Sequence, residues 1–102
     1  MATTSIQVTA LDNEIYLIAI PSSPTFSSEL CHLKGNTPPN LTIVPQAVLP
    51  GGSYTLVIIG INWGGPQAFQ VVVTTDGVST PFTAPAGTGV GVTWTQNVAI
   101  TV

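Results

Sequence analysis

Apolar residues along this chain recur at every second position, in stretches separated by clusters of glycine, proline, serine, asparagine and aspartate. A spacing of two places one set of side chains on one face of an extended strand, whereas a helix needs a spacing of about 3.6. Val, Ile and Thr fill these stretches, and none of them reads as a helix. The pattern predicts an all-β domain.

Two hairpins can be placed in register. With Asp12-Asn13 as a two-residue turn, Ala10 faces Ile15, Val8 faces Leu17 and Ile6 faces Ala19, so one side of the ribbon is apolar. Asp76-Gly77 is the stronger signal, because a type I′ turn needs positive φ at both central residues. It sets Val73 opposite Thr80, Val71 opposite Phe82 and Phe69 opposite Ala84. Pro81 then falls on the other face, as suits an edge strand or a strand end.

Near the C-terminus, Val90, Val92, Trp94, Val98, Ile100 and Val102 share one parity, interrupted by Gln96. At about 3.3 Å per residue this run would reach roughly 40 Å, long for a small domain, so a bend or bulge is expected near Gln96-Asn97. Between the hairpins, residues 21–28 and 34–40 have loop composition, with a short strand predicted over Glu29 to Leu33. Leu41 to Val48 is a further strand candidate whose pairing Pro45 limits. The turn at residues 49–53 leads into a strand over Tyr54 to Trp63. These elements predict a single domain over residues 1–102, an antiparallel β-sandwich of immunoglobulin-like or jelly-roll type with about seven or eight strands.

Composition narrows what such a domain does. The chain has 102 residues, of which 44% are hydrophobic and 5% charged, against about 25% charged in an ordinary soluble domain. Asp12, Glu14, Glu29, Asp76 and Lys34 are the charged side chains, and His32 is the one imidazole. With a net charge of −3 and one basic residue, the chain cannot neutralise a row of phosphates, so nucleic acid is not an expected partner. Anionic lipid is excluded on the same ground. No apolar run approaches the roughly 18 residues of a membrane span. "MATTSIQV" lacks the basic-then-apolar pattern of a signal peptide, so the expected extracellular or virion-surface location implies a mature form or a non-classical route. So few titrating groups also predict a weak pH dependence of stability.

Candidate chemistry is sparse. Cys31 and His32 are adjacent, and on a strand they point to opposite faces. One Cys and one His do not close a structural zinc site, which takes four ligands of that kind. Cys31 reads as a small buried hydrophobe. The carboxylates come from separated segments, and turn chemistry accounts for Asp12 and Asp76. Gly87, Gly89 and Gly91 lack the following Lys of a phosphate loop and precede a strand rather than a helix. Asn40-Leu41-Thr42 fits the N-glycosylation pattern, which matters only in a eukaryotic secretory pathway. No catalytic residue, cofactor or metal is predicted, and the expectation is a protein that is not an enzyme.

The strand from Tyr54 to Asn62 is apolar on both faces. One face of a two-layer sandwich normally meets solvent. A loop, a neighbouring subunit or a ligand is therefore expected to cover the outer face, with Trp63 at its rim. Trp63 is either a packing residue or a platform for a sugar ring, with Asn62 or Gln67 supplying hydrogen bonds. Asn62, Trp63, Gln67 and Trp94 are the candidate interface or ligand residues. Edge strands are usually protected by lysines, inward charges or prolines, and this chain has one Lys. Uncharged strands rich in Val, Ile and Thr are a liability in a free monomer and an asset in an assembly. The expectation is a self-associating structural subunit, as in a virion shell, an extracellular filament or a surface array. The alternative is an oligomeric lectin-like carbohydrate-binding module.

Overall fold

A computed structural model describes residues 2–23, 25–35 and 41–102. Among these residues, eight strands occur in chain order: β1 (Thr3–Ala10), β2 (Asn13–Pro21), β3 (Ser28–Gly35), β4 (Leu41–Ile43), β5 (Ser53–Asn62), β6 (Gln70–Thr75), β7 (Val78–Thr83) and β8 (Gly91–Thr101). They form two antiparallel four-stranded sheets, one in the order β4-β1-β6-β7 and the other β3-β2-β5-β8. The domain is the expected β-sandwich.

The Asp76-Gly77 hairpin is present as the register requires. Val71 pairs with Phe82 and Val73 with Thr80, and the Ala84 amide donates to the Phe69 carbonyl at 3.0 Å. Asp76 at φ 53° and Gly77 at φ 74° supply the two positive φ angles of the turn. β7 is an edge strand, so Pro81 sits where a missing amide costs the sheet nothing.

The Asp12-Asn13 hairpin is not formed. β1 pairs with β4 and β6, whereas β2 pairs with β3 and β5, so the chain crosses from one sheet to the other at this turn. Ile6, Val8, Ile15, Leu17 and Ala19 are nevertheless all buried. Their apolar faces meet across the core instead of lying side by side. Parity identifies the inward face of a strand but does not distinguish a partner beside it from one opposite it.

Two further expectations change. Leu41 to Val48 is not one strand: β4 ends at Ile43, and Pro45–Val48 form a single helical turn, α1, with proline in its first turn. Proline is tolerated there because its missing N–H would be unpaired in any case. The irregularity in the last strand lies at Thr93, where Gly60 pairs with Trp94 but Ile61 with Val92, and not at Gln96-Asn97. An extra residue reverses the facing of everything before it. Trp94, Val98 and Ile100 point into the core, while Val90 and Val92 are 69% and 63% exposed.

The core centres on Phe69, stacked against Trp94 with ring centroids 6.0 Å apart. Gly60 of β5 lies over this pair, and a Cβ there would stand 3.0 Å from the Phe69 ring. Asn62 is fully buried beside it. Its Nδ2 donates to the Gly65 and Gly89 carbonyls, both at 2.8 Å, and its Oδ1 accepts from the Gly64 amide at 3.3 Å. One side chain thus ties two glycine-rich loops to the end of the sandwich.

Gly60→Ala should destabilise the domain by about 1 to 3 kcal/mol through overpacking. Adding Phe69→Leu, which withdraws the ring edge, should recover part of that loss. Urea unfolding of the single and double variants measures both.

Candidate functional site

Alternation along β2 and β5 leaves a second apolar surface on the outside of the β3-β2-β5-β8 sheet. Tyr16 pairs with Ile59, Ile18 with Val57 and Glu14 with Ile61, and all of these but Glu14 are half-buried. Among the described residues, no strand or helix lies over this face. The side chains shelter one another. No described element supplies the cover expected for β5.

At the end of this surface stands Glu14, a carboxylate that is only 6% exposed. It stays charged because donors from separate segments converge on it. The indole Nε1 of Trp63 donates to Oε1 at 2.9 Å. His32 Nε2 and the Tyr16 hydroxyl reach Oε2, the latter at 3.4 Å. The Tyr16 and His32 rings stack with centroids 4.0 Å apart and planes 10° from parallel. The hydrogen bond to His32, then that to Trp63, holds the Glu14 carboxyl below its ordinary value despite burial. Burial, reinforced by the Glu14 charge, pushes the Tyr16 phenol up.

This arrangement settles the posture of Trp63. Its backbone amide donates to Asn13 Oδ1 at 2.7 Å and its ring N–H to Glu14, yet the side chain remains 59% exposed. It is anchored at one edge and open on the remainder. The other candidates separate from it. Trp94 is buried against Phe69, and Asn62 is buried in the loop junction. Gln67 Nε2 donates to the Pro85 carbonyl at 2.6 Å, and its backbone amide donates to Gly87 O at 2.9 Å. These three hold the interior and its loops, and only Trp63 presents a surface.

Cys31 and His32 point to opposite faces, as their adjacency requires. His32 joins the outer cluster, while Cys31 is half-buried against the core and desolvation pushes its thiol up to about 11. Among the described residues, no group of three or more His, Cys, Asp and Glu side chains could hold a metal ion. Among the same residues, no helix is long and apolar enough to cross a membrane. Asn40, the residue of the glycosylation pattern, lies outside the described residues. A cleft of about 410 Å³ opens at the opposite end of β5, between Phe26, Pro50 and Tyr54. The Tyr54 hydroxyl is bound to the Pro50 carbonyl there at 2.6 Å.

The edges of the two sheets differ in a way that bears on function. β7 carries Pro81, β3 carries Glu29, His32 and Lys34, and β4 has only three residues. Proline, charge and shortness each discourage a new strand. β8 is eleven residues long, with neither a charge nor a proline, and among the described strands it pairs with β5 alone. Compared with known protein families, with curated proteins and with solved structures, the chain matches none.

The direction of the β8 backbone follows from its ladder. Val102 and Gly52 exchange both hydrogen bonds, N to O, at 2.7 and 2.8 Å. Alternate residues in an antiparallel pair do the same, so Ile100, Val98 and Gln96 bond to β5. Thr101, Ala99, Asn97 and Thr95 therefore turn their N–H and C=O groups to the free edge, with exposed side chains. The Thr101 amide is taken by the Thr3 hydroxyl at 3.3 Å. Among the described residues, the other three have no hydrogen-bond partner and form a row.

Glu14 gives one testable consequence. A carboxyl held below its ordinary value contributes stability above the ordinary carboxylate range, and that contribution is lost as pH falls through the folded-state value. Acid unfolding should therefore begin earlier in wild type than composition alone predicts, and Glu14→Gln should flatten the pH dependence. Glu14→Leu, which leaves the indole N–H without its acceptor, should let iodide quench Trp63 fluorescence more strongly.

Proposed function

We propose that this protein is a non-enzymatic structural subunit that assembles with copies of itself through the free edge of β8. The observation that carries this reading is the contrast between edges. Three have a device that discourages pairing along their length, whereas the longest has one bulge at Thr93 and none from Trp94 onward. Unpaired N–H and C=O groups on a regular strand are a template for strand addition, where main-chain hydrogen bonds supply affinity. The near absence of charge removes the repulsion that would oppose contact between identical surfaces. A virion shell, an extracellular filament or a surface array would use such an edge.

A second reading is favoured by one observation, the exposed and anchored ring of Trp63. An indole fixed by its N–H and backbone presents its face at little entropic cost, which suits stacking on a sugar ring. In that reading the protein is an oligomeric carbohydrate-binding module, and Lys34 and His32, both exposed nearby, face the sugar hydroxyls.

The two readings part on two measurements. Wild type should sediment as a multimer at micromolar concentration. Asn97→Pro, which removes an edge amide the β5 ladder does not use, should yield folded monomer, as should Thr95→Lys with Thr101→Lys. A wild type that stays monomeric, with no response to these changes, would contradict assembly through β8. If Trp63→Ala stays folded and assembled but loses binding on a glycan array, the carbohydrate reading gains; an array with no wild-type binding removes it.

A further inference from the structure

We infer that the assembly unit is a two-fold dimer in which β8 pairs antiparallel with β8 of a second copy, centred on Asn97. This inference rests on the assembly reading and specifies its partner and register.

The register follows from which edge groups are available. At the C-terminal end of the strand, the Thr101 amide is already bound to Thr3. At the other end, Thr93 interrupts the ladder and Gly91 adopts φ 101°, so the strand is no longer regular. Thr95, Asn97 and Ala99 are left with free and regularly spaced backbone groups. A dyad through Asn97 pairs it with its own copy and pairs Thr95 with Ala99 of the second copy. Every one of these residues then exchanges both its N–H and its C=O bonds. A dyad at Thr95 would bring Asn97 against the irregular Thr93. One at Ala99 would bring Asn97 against the occupied Thr101, and centres at Gln96 or Val98 leave part of the row unpaired. Pairing about Asn97 satisfies the most groups.

The second copy is the occupant because the edge is complementary to itself. In an isologous contact each residue near the dyad meets itself or a near neighbour, so a charge there would meet its own kind. The side chains at this edge are Thr95, Asn97 and Ala99, small and neutral, and the Asn97 amide groups can donate and accept across the dyad. The product is one sheet in the order β3-β2-β5-β8-β8-β5-β2-β3, with the half-buried outer stripe of β2 and β5 on the same side in both copies.

Single cysteines in a Cys31→Ala background test the register. In a hydrogen-bonded antiparallel pair the Cα atoms are about 5.5 Å apart, within disulfide range. Under mild oxidation, Asn97→Cys should form a covalent dimer in high yield. Thr95→Cys alone should not, but mixed with Ala99→Cys it should form the heterodimer. Sedimentation of the same samples under reducing conditions separates the two levels of the argument. Multimers that cross-link through neither arrangement would overturn this register and leave self-association standing. Protein that is monomeric when reduced would overturn both.

Discussion

A backbone amide that finds no partner in its own sheet must find one in water or in another chain, and this constraint shapes the whole domain. A sandwich of two open sheets necessarily exposes rows of such groups at its borders. Sequence can shield them with charge, proline or brevity. This chain has almost no charge to deploy, and among the edge strands β3 carries it, as Glu29 and Lys34. Proline shields β7 and brevity shields β4. β8 combines length and neutrality with a single bulge at Thr93, so its outer edge presents the backbone groups of Thr95, Asn97 and Ala99 to solvent.

The charged cluster at Glu14 follows from the cost of burying a carboxylate. A buried carboxylate is tolerated only when hydrogen bonds replace its hydration. Glu14 obtains them from Trp63, Tyr16 and His32, which brings the far end of β5 into contact with β2 and β3. The consequence is an exposed indole fixed at the margin of the outer apolar stripe, just beyond the Ile61–Val92 pair. Structural anchoring and surface presentation are the same interaction here, seen from its two ends.

What the sequence revealed and what it concealed divide along physical lines. The Asp76-Gly77 turn was legible because two adjacent residues determine a type I′ hairpin and its register. The turn at Asp12-Asn13 was not, because alternation in the flanking strands is the same whether they pair in one sheet or face each other across the core. The bulge at Thr93 eluded the pattern because Val90 and Val92 kept the parity of Trp94 while their side chains turned outward. Among the candidate residues, Trp63 stands exposed beyond the end of β5, whereas Asn62 and Trp94 are interior. Glu14 went unnoticed because its partners sit in three segments, and no local spacing announces a contact made by the fold.

The central claim is that the amides of Thr95, Asn97 and Ala99 are reserved for another chain. Residue-resolved hydrogen exchange, followed as protein concentration rises, tests it most directly. In dilute solution the amides of Gln96, Val98 and Ile100 should be protected by β5, and those of Thr95, Asn97 and Ala99 should exchange freely. As concentration rises through the assembly range, the second set should become protected and the first should change little. If those three amides exchange rapidly at every concentration, including where the protein is multimeric, the free edge of β8 is not the site of assembly and the account is wrong.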